Sequence, residues 1–159
     1  GIGIMVSYSA IAVGDVAIGL LSQRLQSRKQ AMHVFYAITM VGMLVFFTSS
    51  SSLQLYISTG IMGFGTGFWA VFVTIGAENL GTNLRATAAT TIPNMVRGAL
   101  PLINFLFLDI LQKSMGWTIV QSGIVTGCVV MGVTMLAFVF TEETYHKDLD
   151  FIEQDQPLP

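Results

Sequence analysis

Five long apolar segments, separated by short polar breaks, restrict what this chain can fold into. The segments cover residues 1–21, 31–48, 53–77, 86–111 and 117–140. Each reaches or approaches the roughly 20 residues that a helix needs to cross the hydrocarbon core of a bilayer. None shows the strict alternation of a barrel strand. The pattern predicts an all-α integral membrane protein with five transmembrane helices in residues 1–141, followed by an acidic tail, residues 142–159, to which we assign no chemistry.

The composition supports a membrane protein and excludes several functions. Hydrophobic residues make up 53% of the chain and charged residues only 10%, whereas soluble domains carry about 25% charged residues. Six of the nine carboxylates lie in the last 18 residues, and no basic patch suits nucleic acid. Cys128 is the only cysteine, so no disulfide forms within the chain, and no Cys/His spacing indicates a metal site. We predict no metal, no cofactor and, because no nucleophile–base pair is visible, no enzymatic activity.

The distribution of cations predicts the orientation of the segments. If successive segments alternate in direction, five cations fall on one side and Lys113 falls alone on the other. The five are Arg24, Arg28, Lys29, Arg85 and Lys147. Cytoplasmic loops carry an excess of Lys and Arg, so we expect the plasma (inner) membrane with the C-terminus cytoplasmic. The chain starts with Gly1 inside an apolar segment, which indicates a piece of a longer polytopic protein.

Two motifs at the predicted cytoplasmic breaks carry a family resemblance. The first is GDVAIGLLSQRLQSRK, residues 14–29, which resembles the glycine–arginine loop signature of the major facilitator superfamily. The second is Glu78, six residues and Arg85, which is similar to the E-x6-R motif of the sugar-porter-like branch. The resemblance covers essentially the whole chain, as helices eight to twelve of a twelve-helix transporter. It implies that the N-terminal half of the same protein is a missing partner.

The resemblance also implies a cytoplasmic gate in which an acid pairs with loop arginines. Glu78 would meet Arg24 or Arg28 in one access state and separate from it in the other. Each such ion pair contributes about 0.2–1 kcal/mol if solvated, so several are needed to bias the equilibrium. The gate residues are Gly19, Arg24, Arg28, Lys29, Glu78 and Arg85. The alternative is that the cations only anchor the loops and Glu78 is solvated.

The fourth segment contains the main candidate site. Its polar residues and one proline recur at three- and four-residue steps and form one stripe on a helix. They are Thr87, Thr90, Asn94, Arg97, Pro101 and Asn104. Arg97 lies 12 residues after Arg85, hence ~18 Å deep by helical rise. A charge at that depth indicates a functional site. We predict that Arg97, Asn94 and Asn104 bind substrate; alternatively, Arg97 is a structural partner of Asp15.

Residues on the first and third segments complete the predicted site. Asp15 lies ~12 Å inside the membrane by helical rise and shares a helix face with Tyr8. An acid in a low dielectric has a raised proton affinity unless a cation compensates, so Asp15 is a candidate proton carrier or, alternatively, a helix-packing acid. Tyr8 and Trp69 are further substrate candidates, although Trp69 could instead pack in the bundle. Gly63 and Gly67 predict a close helix contact.

These features together predict a secondary active transporter of a small organic solute that works by alternating access. Arg97 favours an organic anion, because a guanidinium is always charged and its donors are fixed. Protons are the expected coupling ion, in symport. A sugar porter or an uncoupled facilitator remains open within this class. From another class, a non-transporting membrane receptor or assembly subunit with the same fold remains open. Membrane lipid and the small-molecule substrate are the expected partners.

Overall fold

The structure is a computed structural model that describes residues 1–148 and residue 150. The described residues form helices joined by short turns, without a strand. The helices are α1 (Ile2–Leu25), α2 (Arg28–Phe47), α3 (Ser52–Thr66), α4 (Trp69–Glu78), α5 (Thr82–Asn104), its π-helical continuation (Phe105–Ser114) and α6 (Ile119–Phe140). The all-α architecture agrees with the prediction from the apolar segments.

Within the described ranges, five helical spans are long and apolar enough to cross a membrane. α3 and α4 together form the span Ser52–Glu78, and α5 with its π-helical continuation forms the span Thr82–Ser114. Mean hydropathy in the spans lies between 1.4 and 2.2, and at most 33% of a span is buried inside the protein. Apolar side chains therefore cover the outside of the bundle, which is compatible with an integral membrane protein.

The predicted break between the first two spans is much shorter in the structure. α1 ends because Gln26 adopts a left-handed conformation (φ 49°). α2 begins at once because the Ser27 hydroxyl accepts the backbone N–H of Gln30 at 3.1 Å, the arrangement of a helix N-cap. Arg24 and Arg28 consequently lie on helices rather than in a flexible loop. The loop before α5 is also short, since α4 ends at Glu78 and α5 starts at Thr82.

Glycines place α3 in backbone contact with α1 on one side and with α2 on the other. A Cβ added at Gly67 would lie 2.6 Å from the backbone nitrogen of Asp15, and one at Gly63 would overlap the backbone of Ser7. On the opposite face, a Cβ at Gly65 would lie 2.8 Å from the backbone nitrogen of Thr39. The predicted close packing of Gly63 and Gly67 is confirmed.

Two irregularities interrupt the spans. At Gly67 and Phe68 the backbone makes short-range hydrogen bonds, with Gly67 N–H to Phe64 O at 3.1 Å and Phe68 N–H to Gly65 O at 3.4 Å. This tight turn separates α3 from α4. The second irregularity is the π-helical stretch that begins at Phe105. Such stretches are rare in proteins, and this one follows shortly after the proline at position 101, which has no backbone N–H to donate.

Candidate functional site

A partly buried ion pair joins α2 to α4 at one end of the bundle. Arg28 donates from Nε to Glu78 Oε2 at 2.7 Å and from Nη2 to Glu78 Oε1 at 2.6 Å. The Glu78 side chain is 8% exposed and that of Arg28 is 24% exposed. A bidentate arginine–carboxylate contact is among the stronger hydrogen-bonded pairs in proteins. Of the two arginines expected to meet Glu78, the structure uses Arg28, whereas Arg24 is exposed.

The chain just after α6 adds a third hydrogen bond to Glu78. The buried hydroxyl of Thr144 donates to Glu78 Oε2 at 2.7 Å. Beside it, the guanidinium carbon of Arg28 lies 5.7 Å from the ring centroid of Tyr145, within the range of a cation–π contact. The carboxylate of Glu78 is thus held by residues from α2 and from the segment that follows α6. We term the end of the bundle that contains Arg28, Glu78, Thr144 and Tyr145 the charged end.

Glu143 caps the first turn of α2 from more than 100 residues away in sequence. Its carboxylate accepts the Ser27 hydroxyl and the backbone N–H groups of Arg28 at 2.9 Å and Lys29 at 3.2 Å. The first backbone N–H groups of a helix have no partner within the helix, and the positive helix end favours an anion. The ammonium of Lys29 extends the contact by donating to the backbone oxygen of Thr141 at 2.8 Å.

These contacts determine the protonation of Glu143. Partial burial would raise the pKa of this carboxyl, but hydrogen bonds from the Ser27 hydroxyl and from the backbone N–H groups of Arg28, Tyr145 and Lys29 outweigh it. Together they lower its pKa from 4.5 to about 2. Glu143 is therefore a carboxylate throughout the physiological pH range. As a permanent anion, Glu143 holds the segment after α6 against the start of α2.

Residues 143–145 were missed as functional residues because the acidic tail was given no role. The structure shows that this part of the tail docks on α2 and α4. The sequence carries one signal for it, an acid and a threonine placed immediately after the last apolar segment, at the side predicted to hold the loop cations. The remainder of the predicted tail, residue 149 and residues 151–159, lies outside the described residues.

Arg85 and Lys147 border the same end of the bundle. Arg85 lies near the start of α5 and lines, with Glu78, an open cavity of about 540 Å³ between α4 and α5. Lys147 donates from Nζ to Asn79 Oδ1 at 2.9 Å, which ties the chain after α6 to the turn after α4. The predicted gate residues Arg28, Lys29, Glu78 and Arg85 are therefore gathered at the charged end.

The polar stripe of α5 lies on the outside of the described bundle. Arg97 is exposed, and its Nη1 donates to Asn94 Oδ1 at 3.3 Å. Asn94 in turn donates to the backbone oxygen of Thr90 at 3.0 Å, and Asn104 is exposed further along the helix. Among the described residues, Arg97 forms no ion pair. The alternative in which Asp15 is its structural partner is therefore not what the structure shows.

The other predicted site residues do not converge on Arg97. Trp69 packs against Phe72, with ring centroids 5.7 Å apart, and lines an apolar cavity that Arg97 does not border. Tyr8 is 70% exposed. Asp15 is partly buried, and no hydrogen-bond partner among the described residues reaches its buried Oδ1.

Gly19 does not provide a close helix contact in this part of the protein. A Cβ added there would have no heavy atom of another part of the described structure within 4 Å. One added at Gly14 would instead overlap the backbone of Phe64. Of the two glycines of the loop signature, Gly14 therefore provides a close contact between α1 and α3, whereas Gly19 does not.

Within residues 1–148 and 150, no group of three or more His, Cys, Asp or Glu side chains could hold a metal ion. Comparison with protein-family models, with curated proteins and with solved structures found no match to this chain. The features of the described residues that bear on function are the bundle itself, the charged end and the exposed stripe of α5.

Proposed function

We propose that this chain is the C-terminal part of a major facilitator superfamily transporter, which moves a small organic anion across the plasma membrane in symport with protons. The observation that carries the proposal is Arg97. Its guanidinium lies ~18 Å from Arg85 by helical rise, in a span long and apolar enough to cross a membrane, and is exposed with Asn94 as its neighbour. Charges at such a depth face a bundle interior or a water-filled cavity.

The stripe suits an anion that crosses between two bundles. Asn94 and Asn104 are exposed on the same helix and offer amide groups that both donate and accept. In alternating access, two helical bundles rock around a site near the bilayer midplane. A second bundle facing α5 would enclose the stripe and provide the other wall of the path.

The charged end supports the proposal because its contacts can hold one access state. The contacts among Arg28, Glu78, Thr144 and Glu143 join α2, α4 and the chain after α6. A network of this kind biases a conformational equilibrium more than a single solvated pair does. With the positive-inside rule, it lies on the cytoplasmic side, together with the C-terminus.

Replacement of Arg97 in the reconstituted full-length protein tests the proposal. Anion-dependent uptake and accompanying proton flux are measured with a panel of monocarboxylates, dicarboxylates and neutral hexoses. Arg97→Lys keeps the charge but loses the planar donor pair, so we expect weaker apparent affinity. Arg97→Gln should weaken it further. Lys113→Gln is the control, since the ion pair that Lys113 forms among the described residues is with Asp109 of its own helix. Parental anion affinity in a properly inserted Arg97→Gln protein would contradict the proposal.

A sugar porter is the second candidate, and the charged end favours it. The Arg28–Glu78 pair joins the two motifs whose combination resembles the sugar-porter-like branch. The same uptake panel separates the candidates: hexose uptake that Arg97→Gln leaves unchanged would favour the sugar porter. Uptake without proton flux would favour an uncoupled facilitator.

A further inference from the structure

An apolar cavity of about 680 Å³ lies between α4, α5 and α6 and plays no part in the proposed transport path. Its apolar walls include Trp69, Phe72, Ile92, Val96, Val133 and Phe140. Ligand cavities of proteins typically measure about 300–1,000 Å³, so the volume is in the range of a bound molecule. Because the bundle is apolar outside, the natural occupant of such a cavity is itself apolar over most of its length.

Apolar side chains line most of the cavity, and its polar lining residues are concentrated towards the charged end. Asn79, Thr141 and Glu142 line that end, and Phe68 and Trp69 line the opposite end. Between them, the hydroxyl of Thr134 is already used, since it donates to the backbone oxygen of Val130 within α6 at 2.9 Å. Trp69 and Asn79 are separated by ten residues of helix, which corresponds to ~15 Å. The hydrocarbon core of a bilayer is about 30 Å thick, so the cavity extends through about one leaflet.

We propose that this cavity holds an acyl chain of a phospholipid from the leaflet at the charged end. The headgroup lies at the mouth, where two charges of opposite sign are available. Lys147 uses one ammonium hydrogen for Asn79 and has two more donors for a phosphate. Glu142 is exposed at the mouth and accepts a primary ammonium. This pattern selects a phosphoethanolamine headgroup, since phosphocholine has no N–H donor and phosphoglycerol has no cation.

The lipid would buttress the charged end from the membrane side. The walls of the cavity include α4, which ends at Glu78, and α6, which is followed by Glu143 and Thr144. The site depends on the proposed membrane placement of these helices but not on transport activity. A helix from elsewhere in the full-length protein is the competing occupant, and it would make the cavity indifferent to lipid.

Lipid retention by the purified full-length protein tests the site without measuring transport. The protein is placed in nanodiscs of equal parts phosphatidylethanolamine, phosphatidylglycerol and phosphatidylcholine, and lipids that remain bound after gentle detergent release are counted by native mass spectrometry. We expect phosphatidylethanolamine to be retained about tenfold over phosphatidylcholine, the ratio that one hydrogen bond to a charged group provides. Equal retention of the three lipids would overturn the proposal.

Paired variants connect retention to the cavity. Ala137→Trp fills the cavity from α6 and should abolish selective retention, whereas Ala37→Trp, at an exposed position of α2 outside the cavity, should not. Val96→Phe is the milder filling variant if Ala137→Trp does not fold.

Glu142→Gln should remove the preference for phosphatidylethanolamine and Asp148→Asn should keep it. Undiminished retention in a folded Val96→Phe or Ala137→Trp protein would refute the site. Selective retention by a protein that transports nothing would refute the proposed transport alone.

Discussion

The ion pair between Arg28 and Glu78 allows a quantitative prediction. Replacing Arg28 by Gln leaves the Glu78 carboxylate, whose side chain is 8% exposed, with the Thr144 hydroxyl as its remaining side-chain donor of the three that the structure shows. Breaking a fully buried pair costs about 3–5 kcal/mol, and an exposed pair contributes about 0.2–1 kcal/mol. Because the Arg28 side chain is 24% exposed, we expect an intermediate loss of about 2 kcal/mol for Arg28→Gln.

The reverse replacement should be milder. In Glu78→Gln, the amide oxygen still accepts from Arg28 or Thr144, and the guanidinium can reach water, so about 1 kcal/mol is lost. In the double variant no buried charge remains unpaired, and we expect a total of about 1 kcal/mol rather than the sum of about 3 kcal/mol. The coupling between the two residues is then about 2 kcal/mol, which is roughly a 30-fold change in an equilibrium constant.

Equilibrium unfolding of the purified full-length protein in mixed micelles measures these changes. Arg24→Gln is the matched control, since Arg24 lies in the last turn of α1, four residues before Arg28, and is exposed. That variant should differ from the parent by no more than about 0.5 kcal/mol. Equal losses for Arg28→Gln and Arg24→Gln, or losses that simply add in the double variant, would refute the assignment of Arg28 as the partner of Glu78.

Three further predictions address the charged end, the helix contact and the orientation. The pKa of Glu143 is lowered from 4.5 to about 2, so its stabilising contribution is complete above pH 4.5 and disappears as the pH falls towards 2; unfolding measured over this range should show Glu143→Gln and parent converging at low pH. Gly67→Ala should disrupt the α1–α3 contact and lower the melting temperature, whereas Gly98→Ala, with no neighbour within 4 Å, should leave it equal or slightly higher. Cysteines introduced at Ser50 and Gln26 should react with impermeant maleimide from opposite sides of sealed vesicles; labelling from one side would contradict the orientation.

The sequence predicted the spans well because each is long and strongly apolar. The predicted limits 31–48 and 117–140 correspond to Arg28–Phe47 and Ile119–Phe140 in the structure. The resemblance of the two loop motifs also implied that Glu78 meets Arg24 or Arg28, and the structure shows the contact with Arg28. The start of α2 lies three residues before the predicted limit at residue 31, because Ser27 is an ordinary N-cap residue that begins the helix at Arg28.

The contacts of Glu143 and Thr144 could not be predicted from local patterns. Their partners lie 115 and 66 residues away, and nothing in the neighbouring sequence specifies which helix end an acid will cap. The alternative role of Arg97, as a structural partner of Asp15, also depended on contacts that local patterns do not specify. In the structure α1 packs on α3 through glycines, and the stripe of α5 is exposed. Depth along a span does not determine which way a side chain faces.

The capping of α2 by Glu143 has a consequence for biosynthesis. Ser27 and the first turn of α2 leave the ribosome well before Glu143, which is 116 residues downstream of Ser27. Until the last span has been inserted in the correct direction, the start of α2 lacks its anion and Glu78 lacks Thr144. The completed contacts therefore report that insertion has finished. A chain with an inverted or missing last helix would leave the backbone N–H groups of Arg28 and Lys29 without the Glu143 carboxylate, and Glu78 without the Thr144 hydroxyl.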